Sequence, residues 1–124
     1  MVVQCVTRQI EPDITVMDFS GRLTLGNQLI DIEHAIVDHI RQGGGKLVLE
    51  LSKLEFMDSA GVGALVLCSS TMKKTGGKMV LAGAAGKVKQ VLELTSLDRI
   101  IEMYPDLSSA CEALSRNAPP PAAV

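Results

Sequence analysis

The sequence predicts an α/β domain with a mixed sheet, and three observations carry that expectation. Apolar runs of strand length alternate with helix-period segments after an opening pair of strands, giving the order β-β-α-β-α-β-α-β-α. The first two strands are joined by the short turn Glu11-Pro12-Asp13, so they pair antiparallel. The later strands are joined through helices, so they run parallel. Lys46–Leu51 is apolar almost throughout, as a central parallel strand is.

Residues 2–8 and 13–19 read as the opening strands. In the second, Ile14, Val16 and Asp18 share one parity, against Thr15, Met17 and Phe19. Apolar groups on both parities place this strand inside the sheet. Ser20-Gly21-Arg22 is expected to break it. A helix follows from about Leu25 to Gln42, with Leu25, Leu29, Ile32, Ile36 and Ile40 on one stripe. Thr24 is its candidate N-cap, and Gly43-Gly44-Gly45 stops it.

After the Lys46–Leu51 strand and its extension through Phe56 comes a helix from Ala60 to Lys74, ended by Thr75-Gly76-Gly77. Lys78 to Gly83 is the next strand, and Gly86 to Leu94 a helix bearing Val88, Val91 and Leu92. Arg99 to Met103 reads as a short last strand. Asp106 to Ser115 reads as a closing helix with Leu107, Ala110, Cys111 and Leu114 on one side. Either Asp106 or a Ser109/Glu112 box caps it. Residues 1–116 thus form one domain, and residues 117–124, rich in Pro and Ala, a disordered or polyproline-II tail.

Composition narrows the function classes. The chain has 124 residues, 47% of them hydrophobic but only 2% aromatic, so Val, Leu, Ile, Met and Ala must build the core. Aromatic-lined pockets and base-stacking surfaces are disfavoured. With 12 Lys and Arg against 14 Asp and Glu, there is no electrostatic footprint for nucleic acid or an anionic membrane. No apolar run approaches the length of a membrane span, and the start lacks the pattern of a signal peptide. Cys5, Cys68 and Cys111 lie among apolar neighbours and show no CxxC spacing. A reduced cytoplasm and protein partners are the expectation.

The candidate site is Asp58-Ser59, flanked by Phe56 and Met57 on one side and by Ala60-Gly61-Val62-Gly63 on the other. Functional loops of α/β domains gather at the carboxyl ends of the strands, where this pair falls. Ser59 sits at or beside the N-cap, where its hydroxyl would accept from the N–H of Gly61 or Val62. A phosphate on that oxygen would face the positive end of the helix. The residues alone leave two readings open: a mere cap, or a modified residue at a helix start. Gly61 and Gly63 are equally double, admitting a partner backbone or letting the helix pack on the sheet, and Gly63 is assigned to packing.

Enzymatic alternatives fail on spacing. A serine-hydrolase elbow needs G-x-S-x-G, and Met57 stands where the first glycine belongs. His34 and His39 share one helix about 140° apart, which excludes a helical metal pair, and both are expected to be solvated. A receiver-type metal site would need acidic residues where Ser20-Gly21 ends an early strand. Gly43-Gly44-Gly45-Lys46 leads into a strand, not a helix, and is no P-loop. No cofactor or metal is expected.

The segment from Leu47 to Leu65, with its Asp58-Ser59-Ala60-Gly61-Val62-Gly63 centre, resembles the signature of STAS domains of the anti-sigma factor antagonist type. Ser20-Gly21-Arg22-Leu23, Gly76-Gly77-Lys78 and the run from Val91 to Leu97 extend the resemblance over nearly the whole chain. The resemblance implies a bacterial partner-switching protein that is not an enzyme. When unphosphorylated it would bind an anti-sigma factor with serine kinase activity and so free the sigma factor. Phosphorylation at Ser59 would switch it off, and a phosphatase of the PP2C type would reset it. Asp58, Ser59, Ala60 and Gly61, with Gly21, Arg22 and Thr24, would form the partner-binding surface. Many members carry a second serine where Ala60 stands, and an acid where Thr24 stands.

Two other functions remain alternatives: an unphosphorylated STAS scaffold subunit of a stress-signalling or lipid-transport complex, and, remotely, an enzyme with Ser59 as nucleophile. The phosphate is expected to act by rejecting the partner rather than by refolding the domain.

Overall fold

The structure is a computed structural model that describes residues 4–11, 13–43 and 45–116. The expected tail 117–124, the first residues of the opening strand and the centre of its turn, Pro12, lie outside the described residues. The elements follow the predicted order. They are β1 (Gln4–Glu11), β2 (Ile14–Leu23), α1 (Asn27–Arg41), β3 (Lys46–Met57), α2 (Ser59–Lys74), β4 (Lys78–Ala82), α3 (Gly86–Leu94), β5 (Met103–Tyr104) and α4 (Leu107–Arg116). One sheet of order β1-β2-β3-β4-β5 holds all five strands, β1 and β2 antiparallel and the rest parallel.

Because β2 to β5 are laid down side by side in chain order, crossovers of one hand place their three helices on one face. Met17, Phe19, Leu47, Leu49, Leu51, Met79 and Leu81 pack there against the stripe Leu29, Ile32, Ile36 and Ile40 of α1, and against Leu65, Cys68 and Met72 of α2. Among the described elements only α4 covers the other face, where Ala110 and Leu114 meet Ile14, Val16, Val48, Val80 and Ala82. The two parities read from β2 therefore belong to two separate cores. Among the described residues, Val48, Leu49, Leu51, Val80 and Leu81 are fully inaccessible, as the continuous apolar runs of β3 and β4 require.

Three boundaries differ from the sequence reading. Ser20-Gly21-Arg22 does not end β2, which runs on to Leu23 beside β3 as far as the Leu23–Met57 pair. β3 absorbs extra residues at two register shifts, and Gly21, at φ 90°, lets β2 bend without leaving the sheet. Thr24 caps nothing: α1 begins two residues later, after Gly26, and no side chain caps it. Arg99–Met103 is not a strand. A 3₁₀ turn at Leu97–Arg99 buries Leu97 and Ile101 in the core, and only Met103 and Tyr104 reach β4. At the last helix Asp106 is the cap, its Oδ1 accepting from Ser109 N at 2.8 Å.

Leu49 sits at the centre of β3, wholly buried between β2, β4 and the helical layer. Leu49→Ala should lower unfolding free energy by about 2–5 kcal/mol in chemical denaturation. A loss under 1 kcal/mol would mean that this core collapses around the deleted side chain.

Candidate functional site

The extension of β2 and β3 beyond the end of β4 builds the site. Leu23 and Met57 pair at their ends, so the loop entering α1 and the start of α2 leave the sheet side by side. Asp58 then joins them. Its Oδ1 accepts from Gly61 N at 3.0 Å and so caps α2, while its Oδ2 accepts from Leu25 N at 3.0 Å. Its own N–H donates to Leu23 O at 3.3 Å. One carboxylate and its amide thus hold two chain segments 33 residues apart in register.

Ser59 lies beside the N-cap, but the bond expected of its hydroxyl is made by Asp58. Asp58, not Ser59, is the N-cap, and Ser59 is the first residue of α2. The cause is geometric: Asp58 holds the extended backbone an N-cap needs, at φ −100° and ψ −176°, and its carboxylate reaches Gly61. The Ser59 hydroxyl takes no part in the cap, and the residue is exposed. The same clasp explains why Thr24 does not start α1, since Leu25 N is held by Asp58 outside the helix.

Partial burial pushes the Asp58 carboxyl up. The N–H groups of Gly61, Leu25 and Ala60 outweigh it and hold the group below its ordinary value of 3.8. Asp58 is therefore an anion at neutral pH, fixed beside Ser59.

The packing role expected of Gly63 falls instead to Gly61, which the sequence left open. A methyl group at Gly61 would lie 2.6 Å from Leu23 O and 2.7 Å from Met57 Cγ. Gly61 is therefore what lets α2 dock against the β2–β3 extension. At Gly63 a methyl group would meet nothing within 4 Å, and packing does not explain this glycine.

The remaining predicted residues surround this centre unevenly. Arg22 is exposed, its guanidinium carbon 4.6 Å from the centroid of the Phe56 ring on the adjacent strand. Gly21 is buried in the sheet and contributes backbone only. Thr24 and Ala60 are half-buried. Leu25, which the sequence reading placed on the buried stripe of α1, is instead 81% exposed beside Asp58. An apolar residue two positions before Asn27 was the available signal, and the misplaced helix start hid it.

Other reactive groups lie elsewhere. Burial pushes the Cys5 thiol up to about 11 and the Cys68 thiol up to about 12, with smaller additions from Asp18 and Glu33. Both remain neutral thiols. His34 is exposed, but His39 is not solvated as expected: its Nε2 is buried without a hydrogen-bond partner. Both histidines lie on α1, and neither makes a hydrogen bond to the site among the described residues. Among the described residues no cluster of His, Cys, Asp and Glu has the arrangement of a metal site.

The sequence pattern of the STAS domain matches residues 6–110. The chain belongs to the STAS family. A Thermotoga maritima protein with the provisional name anti-sigma factor antagonist is 30% identical over 108 residues, covering 87% of this chain and 96% of that one. A crystal structure from T. maritima, under the same provisional name, superposes with a TM-score of 0.81 at 28% identity, over 90% of this chain and 94% of that one. The Bacillus cell fate determinant SpoIIAA in its phosphorylated form shares the fold, with a TM-score of 0.70 at 20% identity over 89% of this STAS chain and 98% of that one. No described helix of the STAS chain is long and apolar enough to cross a membrane.

Substitutions should separate the two glycines. Gly61→Ala should destabilise by about 1–3 kcal/mol, because the backbone oxygen of Leu23 must give way. Gly63→Ala should stabilise by up to about 1 kcal/mol, as an open helix-interior site allows. Thermal or denaturant unfolding of both variants checks the contrast.

Asp58→Ala should cost about 0.5–2 kcal/mol at neutral pH through the lost cap. The folded pKa of Asp58 lies below its unfolded value. Its contribution is therefore complete above pH 3.8 and is lost as pH falls through the depressed folded value. Unfolding measured against pH should show a shallower acid limb for Asp58→Asn than for the wild type.

Proposed function

We propose that this chain is an anti-sigma factor antagonist whose unmodified form binds an anti-sigma factor with serine kinase activity, and that Ser59 is the phosphoacceptor. The observation that carries the reading is the division of labour between Asp58 and Ser59. Asp58 satisfies the helix cap, which leaves an exposed hydroxyl on the first residue of α2. A kinase reaches that oxygen without breaking the cap. The relatives' names support the antagonist role, and SpoIIAA is a protein of this fold with a phosphorylated form.

The switch follows from charge. A phosphate brings about −1.5 to −2 charges to Ser59, beside the carboxylate of Asp58. The helix N-terminus returns only about 0.3–1 kcal/mol at an exposed position. Like charge set against an interface costs several kcal/mol. The modified form therefore loses its partner while keeping its fold, and a phosphatase restores binding. Arg22 and Thr24, at the neighbouring strand end and loop, belong to the surface the kinase meets.

Incubation with the cognate anti-sigma factor and ATP should place one phosphate on Ser59, located by peptide mass mapping. Ser59→Ala should accept none and remain in the complex with the anti-sigma factor. Phosphate at another residue, or a phosphorylated chain that still binds with undiminished affinity, would refute the assignment.

A further inference from the structure

A cavity of about 280 Å³ opens between the last turns of α2, the start of β4 and the segment that leads from the 3₁₀ turn into β5. Its size suits a molecule smaller than a drug-sized ligand. Met79, Ile100 and Ile101 give it apolar walls. Met79 and Ile101 are buried, whereas Ile100 is 48% exposed, an apolar side chain that the fold leaves in water. Lys78 and Glu102, which also line it, form an ion pair, and Glu102 accepts a further bond from the Tyr104 hydroxyl. These two charges are satisfied within the domain.

Ser69 and Lys73 line the same cavity, one turn apart on one face of α2. The fold makes use of neither polar group. Ser69 is 4% exposed, yet among the described residues its hydroxyl makes no hydrogen bond. A hydroxyl inside a helix can bond back to the carbonyl four residues earlier, as Thr71 does to Leu67 O at 3.0 Å. Ser69 makes no such bond, and its oxygen is reached from the cavity rather than sealed in the core. A buried hydroxyl without a partner costs stability. Lys73 joins none of the ion pairs among the described residues. The two lysines and one glutamate of the lining therefore leave a single positive charge unmatched.

We propose that this cavity is a binding site for a small amphipathic carboxylate. The carboxylate accepts from the Ser69 hydroxyl and the Lys73 ammonium, and the apolar body lies against Met79, Ile100 and Ile101. One unmatched positive charge suits a monoanion, whereas a phosphate brings about −1.5 to −2 charges and exceeds it. The apolar walls supply affinity, and the serine–lysine pair selects the anion. Ser69 lies ten residues along α2 from Ser59, about 15 Å at the helical rise, so the site does not rest on the reading of Ser59.

The test is a titration of the full chain with hexanoate and with benzoate, a linear and a flat member of the class, at constant ionic strength and followed by amide ¹H–¹⁵N spectra. At least one of the two should give saturable shifts at Lys73, Lys78, Ile101 and Glu102. Lys73→Gln and Ser69→Ala should each weaken that binding about tenfold, the worth of one charge-assisted hydrogen bond. Ser69→Ala should also unfold at or above the wild-type midpoint, because the fold makes no use of the hydroxyl. Lys74→Gln, at the next lysine of the helix, exposed and outside the cavity, should bind as the wild type does. The absence of saturable shifts with either acid up to about 10 mM, ample for ligands of this size, overturns the site. Equal affinity for 1-hexanol reveals an apolar cavity without anion recognition and overturns the carboxylate. If Lys74→Gln weakens binding as much as Lys73→Gln, the effect is diffuse charge and the proposal fails.

Discussion

The two oxygens of Asp58 govern the geometry of everything near Ser59. One ends the unsatisfied N–H series of α2, and the other holds Leu25 outside α1. Together with the hydrogen bond that the Asp58 N–H donates to the Leu23 carbonyl, they set the β2–α1 loop against the start of α2. A neutral cap would satisfy the helix but would not be an anion on two amide donors, a stronger arrangement than neutral hydrogen bonds. Gly61 is the steric half of the same constraint, since only a residue without a side chain fits under the Leu23 carbonyl. The exposed hydroxyl is thereby kept apart from the helix cap. The residue that carries the cap is not the residue that carries the hydroxyl.

The sheet supplies the frame for this arrangement. Strands in chain order from β2 to β5 gather three helices on one face and leave the other to α4. The N-termini of α1 and α2 consequently emerge at one pole, beside the long ends of β2 and β3. The surface ion pairs, Arg8–Asp18, Lys46–Asp13 and Lys78–Glu102, lie in the sheet strands and their connections, away from Ser59. Ion pairs at the surface contribute little to stability, so the frame is held by its two apolar cores.

The fold was legible because its signals are periodic. The stripe Leu29, Ile32, Ile36 and Ile40 and the apolar run of β3 each bury as their spacing requires. The boundaries were less legible because tertiary contacts move them. Gly21 reads locally as a breaker, but β3 runs beside it and holds it in the sheet. Thr24 reads as a cap, but Asp58, far along the chain, claims the neighbouring amide. The site was legible as a stretch and not as an arrangement. Asp and Ser cap helices about equally well, so their order in the sequence did not reveal which one would do so. The contrast between Gly61 and Gly63 depends on where the Leu23 carbonyl lies, which no local pattern records.

On the proposed reading, a phosphate on Ser59 changes the charge of a prearranged surface and leaves the fold intact. Amide ¹H–¹⁵N spectra of the unmodified and Ser59-phosphorylated chain test this most directly. The predicted shifts are confined to the loop around Thr24 and Leu25 and to residues 58–63, while the amides of Leu49, Val80 and Leu81 stay in place. Shifts spread through β3 and β4 would show that the modification refolds the domain, and would contradict the account.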